Sequence, residues 1–474
     1  MITGRIYGLE TEYGVFAQPK DYNAPGIIPN PGECVKELFE YMPSSSKTTN
    51  YFLSNGARLY IDIGEHPEYA SAECDQVYDV VANDRAGEEF LRAMLSSANK
   101  NFAEKNIEAV VHLFKNNVDS VGNTFGCHEN YLFSRKVDFD KSIRSLVNFF
   151  ATRQILTGAG HIKHDEKTGE SRYVFSPRAD FLSEQTSADT TRSRPIINTK
   201  DEPHGDVDLY RRLHVLCSDS NICDVTTMLK IALTGIVLDY LESGKDLCQF
   251  DLVNPIEALH QISDDFTGTV KVDLVDGRKM SAVEIQTEII ALLEEHLRGK
   301  NYDLDNQDDV YIQALSLAKD GLEAIVSRDF SKVDTKLDWA IKYKLFKHYM
   351  NKHNIDLSSP LIARLNLAYH DLDPKYGLAP AMRAKGMMQE YVAHEDVIKA
   401  MTMPPQTSRA KVRGDFVEKA LRLGFDITVN WSGVRLNNPY RPTIDLMDPF
   451  ANYNEEVSQL MQDLDVIVPE KSTA

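Results

Sequence analysis

Cysteine is scarce and unpatterned in this chain. Its six cysteines, Cys34, Cys74, Cys127, Cys217, Cys223 and Cys248, form no C-x-x-C pair and fit no zinc module. Scattered thiols in a long acidic chain fit buried, reduced side chains and an expected cytoplasmic location. Positive charge is also short. Lys and Arg number 52 against 71 Asp and Glu, a formal charge of −19. A general nucleic-acid binder would carry a basic surplus, and docking on anionic lipid needs polybasic segments. Neither partner is expected. Long apolar runs are missing too. The most apolar stretch, Met228 to Leu238, contains Lys230 and is far short of the roughly 20 residues that span a bilayer. The opening Met-Ile-Thr-Gly-Arg has no apolar signal core. No G-x-x-x-x-G-K-[ST] loop occurs, and no G-x-G-x-x-G opens a helix after a strand. ATP, if it binds, therefore binds on a sheet through carboxylate-held metal.

What is present is ordinary globular material. Of 474 residues, 42% are hydrophobic and 26% charged, which excludes a disordered or fibrous chain. The length suggests roughly two or three domains.

The first strand spans Arg5 to Gly14, and period two places Glu10 and Glu12 on one face, Leu9 and Thr11 on the other. A helix is expected from Glu33 to Met42. The second strand alternates Arg58, Tyr60 and Asp62 with Leu59, Ile61 and Ile63, giving one polar and one apolar face. After Glu73 a helical period begins at Val77, with Gly87 raising a possible break. Alternating runs return at Ala109 to Phe114, Tyr131 to Phe133 and Leu213 to Cys217. Val225 to Leu241 reads as a buried helix, and Ala282 to Met350 as three amphipathic helices. Strands mostly precede helices, which points to an α+β fold. Two prolines in Met401 to Ser408 suggest a boundary, dividing the chain into 1–403 and a small C-terminal domain, 404–474.

Three constellations carry candidate chemistry. The first joins Glu10 and Glu12 to Arg58, Tyr60 and Asp62, with Glu68 and Glu73 close behind. Mg²⁺ takes oxygen ligands and usually keeps a phosphate among them, and Arg58 offers a planar fork for that phosphate. The alternative is a solvated sheet face with ordinary cross-strand pairs. The second runs from Lys115-Asn116-Asn117 to Gly126-Cys127-His128-Glu129-Asn130-Tyr131. It could orient a substrate carboxylate, or be a turn rich in Asn and Gly. Cys127 and His128 point to opposite faces of a strand and make no thiol nucleophile. The third holds Arg192, Arg194, Arg211, Arg212 and His214. It suits anion clamping, with a structural arginine network as the alternative. His214 could face either the core or a metal.

These segments carry a resemblance. G-L-E-T-E-Y-G from Gly8, N-G-A-R-L-Y-I-D-I-G-E-H-P-E-Y-A-S-A-E-C-D from Asn55, and F-K-N-N-V-D-S-V-G-N-T-F-G-C-H-E-N-Y from Phe114 are three of its strings. T-T-R-S-R-P-I-I-N-T-K-D-E-P-H, Y-R-R-L-H-V, V-D-T-K-L-D-W-A-I-K-Y-K-L, L-A-Y-H-D and P-P-Q-T-S-R-A extend it to about Pro449. The chain resembles the Pup–protein ligases, or proteasome accessory factor A family, within the carboxylate–amine ligases related to glutamine synthetase. The resemblance implies a large glutamine-synthetase-like domain, with a curved antiparallel sheet flanked by helices, plus a small C-terminal domain at the nucleotide site. It implies ATP and Mg²⁺ as cofactors. It implies Pup and lysine-bearing target proteins as partners, and marking for proteasomal degradation as the outcome. The C-terminal glutamate of Pup would become a γ-glutamyl phosphate, which a target lysine then attacks to form an isopeptide bond. Position by position, it implies Asp62 as catalytic base and Glu10, Tyr60 and Glu68 as magnesium ligands. Arg58, Ser71 and Trp431 match ATP contacts, Ser71 standing where relatives often carry Thr. Glu12, Arg192, Arg194 and His214 are further candidates.

The sister enzyme, Pup deamidase and depupylase, is the main alternative. It is similar across the active site but carries a long insertion after the first strand. Here only the residues between Gly14 and Tyr51 separate the two strands, which favours the ligase. The long strings argue against a small-molecule ligase. The retained Glu10, Arg58, Asp62 and Glu68 argue against an inactive Pup-binding protein.

Overall fold

The computed structural model describes residues 2, 4–23, 26–42, 49–62, 64–119, 122–165, 167–189 and 193–466. Its centre is an eight-stranded sheet. In spatial order the strands are Glu184–Ser187, Pro195–Asn198, Tyr210–Ser218, Cys127–Ser134, Tyr7–Glu12, His66–Ala70, Arg58–Asp62 and Asn50–Phe52. All neighbours are antiparallel except the first two, which run parallel at one edge.

Period-two patterning sets the two faces of the sheet. Tyr7, Leu9, Tyr131, Phe133, Leu213 and Val215 are buried in the main core. That core also takes side chains from the helices Val77–Glu104, Phe139–Thr157 and Asp224–Glu242. The opposite face, with Gly8, Glu10 and Glu12 on the central strand, carries the polar side chains. Glu129 shows how strictly the alternation holds. It points to the helix side, is 0% exposed, and pairs with Arg153 at 2.5 Å.

The helix after Glu73 is continuous over 28 residues, from Val77 to Glu104. Gly87 does not break it. A Cβ there would lie 2.5 Å from the Tyr69 ring, so the glycine lets the helix lie directly against the sheet. This helix and Phe139–Thr157 also place more helix in the first half than the sequence pattern predicts. The first predicted helix forms at Pro31–Phe39, nucleated by a capping box between Asn30 and Glu33 with Pro31 in the first turn. The three amphipathic helices lie at Ala282–Gly299, Val310–Ser327 and Asp338–His353.

The C-terminal segment has a core of its own. Val412, Phe416, Ala420, Val434, Leu436, Val457 and Leu460 cluster without residues from the main core. The elements are the helix Arg409–Arg422, the helix Glu455–Asp463 and a three-stranded antiparallel sheet: Ile427–Asn430, Gly433–Leu436 and Ile444–Asp445. The sequence pattern shows only the first of these strands, because the other two are short and interrupted by Asn and Pro.

Candidate active site

Register brings the predicted carboxylates together. Glu12 lies opposite Glu68, and Glu68 lies opposite Tyr60 on the next strand. Glu10 lies opposite His128 on the other side. The polar face thus divides into two ligand groups.

In the first, Glu12, Asp62 and Glu68 bring carboxylate oxygens within 4.8 Å of one another. Burial pushes the Glu68 carboxyl well above its usual range, and the negative charges of Glu10 and Glu12 push the same way. Tyr60 hydrogen-bonds Glu68, and burial with these carboxylates raises its phenol. The Arg58 guanidinium covers the Tyr60 ring at 3.9 Å and donates from Nε to Asn50 Oδ1 at 2.7 Å.

In the second group, Glu10, His128 and His214 converge within the same 4.8 Å limit. His128 Nδ1 is 3.2 Å and His214 Nε2 3.4 Å from Glu10 Oε2. Asn130 Nδ2 donates to Glu10 Oε1 at 3.1 Å, and Arg212 lies 3.6 Å from that oxygen. Burial alone would raise Glu10. Hydrogen bonds from the two histidines, with the charges of His214 and Arg212, outweigh it and hold the carboxylate well below its usual range. Burial lowers His214 to about 4, against the pull of the Glu10 carboxylate. His214 Nε2 is buried and faces Glu10 Oε2. His214 therefore faces the carboxylates and not the core.

Beyond Glu10 the face becomes apolar. Gly8, Leu9, Ser71, Ala72, Leu132, Pro203, His204, Arg409, Trp431 and Pro449 help line a cleft that also reaches Glu10, Asn130 and Arg212. Its floor is the central sheet, and its far wall comes from the C-terminal segment. From Gly8 to Glu12 the strand advances four residues, about 13 Å at a typical rise of ~3.3 Å. The apolar cleft, the histidine group and the all-carboxylate group thus follow one another along a single strand.

Gly126 is required where the groups meet. A Cβ there would lie 2.4 Å from His128 Nε2 and 2.7 Å from Glu12 Oε1.

Most predicted site residues are brought together: Glu10, Glu12, Arg58, Tyr60, Asp62 and Glu68 on the polar face, Ser71 and Trp431 in the cleft. The Ser71 hydroxyl is engaged with the main chain, accepting from Leu9 N at 2.9 Å and donating to Ala72 O at 3.2 Å. Three candidates are not placed in these groups. Glu73 takes the ion-pair alternative, its carboxylate held by Arg409 and Arg413. Arg194 is exposed, with its guanidinium carbon 6.0 Å from the centre of the Phe181 ring. Arg192 lies outside the described residues. Arg212, His128, Asn130 and Gly126 stand in the second and third constellations, but their place beside Glu10 and Glu12 is not visible there. Their signal was cross-strand register, which one strand's pattern does not contain.

The profile of the Pup-ligase protein family matches residues 5–435. The chain belongs to the Pup ligase family. A Pup–protein ligase of Nocardia farcinica is 44% identical over 457 residues, covering 96% of this chain and 99% of the relative. A Pup–protein ligase of Mycolicibacterium smegmatis is 42% identical with the same coverage. Two solved structures of Pup ligases are also similar. The complex between prokaryotic ubiquitin-like protein Pup and its ligase PafA matches with a TM-score of 0.91 at 36% identity, covering 98% of this chain and 92% of that one. The Pup ligase PafA in complex with ADP matches with a TM-score of 0.83 at 36% identity, covering 94% and 96%.

Proposed function

We infer that this chain is an ATP-dependent Pup–protein ligase, joining Pup to lysine side chains of target proteins. The full-length match to Pup–protein ligases supports this reading. So does the likeness to PafA solved with Pup and with ADP. The observation that carries it into chemistry is the sequence of environments along the central strand. An apolar cleft suits a nucleobase. The Glu10 and Glu12 groups that follow suit a polyphosphate with its cations and an incoming carboxylate.

We propose these roles for the site residues. Trp431 and the apolar cleft wall hold the base, with Ser71 and Gly8 in the floor. Glu12, Glu68 and Tyr60 offer oxygen donors of the kind Mg²⁺ prefers, with the Asp62 carboxylate beside them. Glu10, His128 and His214 offer a mixed nitrogen and oxygen set. Bound Mg²⁺ would neutralise phosphate charge. Arg58 and Arg212 add guanidinium forks that bind phosphate oxygens and orient the Pup carboxylate for attack on the γ-phosphate. The γ-glutamyl phosphate forms at that point. Asp62, at the far end of the polar face, then takes a proton from the attacking lysine ammonium, which is not nucleophilic until it loses one.

We further propose that residues 404–474 form a small domain that completes the nucleotide site, and that the enzyme works in the cytoplasm. Among the described residues no helix is long and apolar enough to cross a membrane.

The deciding experiment mixes the protein with ATP, Mg²⁺, glutamate-ended Pup and a lysine-bearing target. A higher-mass conjugate with stoichiometric ADP is the expected result. Cleavage of a preformed conjugate without any conjugation would instead assign the sister activity.

A further inference from the structure

Arg413 is 0% exposed, and its guanidinium ties three groups together through four acceptor atoms. It donates to both carboxylate oxygens of Glu73, to Gly56 O at 2.7 Å and to Trp431 O at 3.0 Å. Its central carbon lies 5.0 Å from the centre of the Trp431 ring and 5.4 Å from that of Phe52. Those two rings meet edge to face with centroids 5.0 Å apart. Arg409 reinforces the joint, with Nε 2.8 Å from Glu73 Oε1 and Nη1 2.8 Å from Leu446 O. Leu446 N in turn donates to Ser432 O at 2.7 Å. Both arginines therefore brace the turn that carries Trp431, one at residue 431 itself and the other through Leu446 and Ser432. Glu73, the shared anchor, continues the chain directly from Ser71 and Ala72 in the cleft floor.

An ion pair serving stability alone would need only Glu73 and one cation. The bond to the carbonyl of residue 431 and the contact with its indole fix a position. A planar guanidinium can make all of these contacts at once. We propose that Arg413, anchored on Glu73, is a positioning residue for the nucleotide, setting the Trp431 indole at a fixed distance from the cleft floor. The proposal rests on the reading of Trp431 as the nucleobase contact.

Arg413→Lys tests it, because lysine keeps a charge opposite Glu73 but cannot span both carbonyls. ADP affinity and the quenching of tryptophan emission by acrylamide are measured in the full-length protein. The chain has two tryptophans, and Trp339 is fully buried, so quenchable emission reports Trp431. Base–aromatic stacking is worth about 1–3 kcal/mol, so its misplacement should raise the ADP dissociation constant by roughly tenfold. KM for ATP should rise in parallel, kcat at saturating ATP should stay within about twofold, and quenching should increase. Phe52→Leu leaves the ion pair intact, removes the ring that meets Trp431 edge-on, and should weaken ADP by roughly threefold. It decides the matter if Arg413→Lys does not fold. Trp431→Ala is the control. If it binds ADP like the parent, the reading of Trp431 fails. If it binds weakly while folded Arg413→Lys and Phe52→Leu bind normally, or if kcat falls with KM unchanged, the positioning role is overturned.

Discussion

Glu12 and Glu68 stand directly opposite each other across the central antiparallel pair, on the same face of the sheet. Both are largely buried, and Asp62 completes the group. Like charges held this close are costly without a cation between them. Glu68→Gln removes one donor while keeping the shape. We expect the Mg²⁺ concentration for half-maximal ADP release to rise at least about tenfold. A titration of activity against Mg²⁺ checks this, and an unchanged midpoint would take Glu68 out of the ligand set.

Asp62→Asn should leave ADP affinity within about twofold and lower conjugation by roughly 10²–10⁴-fold, the usual worth of a general base. Conjugate formation followed by gel shift, beside calorimetric ADP binding, separates the two. Full conjugation by this variant would end the base assignment.

Gly126→Ala places a methyl group between His128 and Glu12, at 2.4 and 2.7 Å from their side chains. The residue is not at a positive φ, so the backbone tolerates alanine and the fold should survive. We expect a circular dichroism melt within a few degrees of the parent, with activity reduced at least about tenfold. Parent-like activity would show that the two ligand groups do not need this spacing.

Glu73 links acidity to stability. Burial raises its carboxyl, but the charges and hydrogen bonds of Arg413 and Arg409 outweigh it and bring it down to about 2. Its ordinary value is near 4.5, so the folded state holds the proton less tightly than the unfolded chain. The stabilisation is fully present above about pH 4.5 and is lost as pH falls toward 2. The shift corresponds to about 3 kcal/mol. Glu73→Gln should therefore be less stable than the parent at pH 7, with the difference shrinking between about pH 4.5 and 3. Urea unfolding at a series of pH values measures it, and a pH-independent difference would contradict the linkage.

Much of this was legible in single strands. The alternation of Arg58, Tyr60 and Asp62 with Leu59 and Ile61 marks a polar face because period two is a local property. Long amphipathic helices were legible for the same reason. The pairing of Glu10 with His128 and His214 was not, since it depends on which strands become neighbours. Glu73 stays open in the sequence because a carboxylate next to a ligand strand looks the same whether it meets a metal or an arginine. The positions of Arg409 and Arg413, 336 and 340 residues further along, decide between them. Gly87 read as a possible helix break because the ring of Tyr69 against it comes from a distant strand.

The proposed nucleotide cleft draws on Gly8, Ser71, Leu132, Arg212, Trp431 and Pro449. Its walls are therefore made at opposite ends of translation. A chain still on the ribosome has the sheet's central strand almost at once but lacks the opposite wall until Trp431 has emerged. With Trp431 as the proposed base contact, nucleotide capture is then a late event in the life of each molecule. A truncated chain that ends before residue 431 would keep every carboxylate of the polar face and still have nothing to close over the base. For such a fragment, retained acidic residues would be a poor guide to activity, and ADP binding would be a direct report that synthesis had run through both domains.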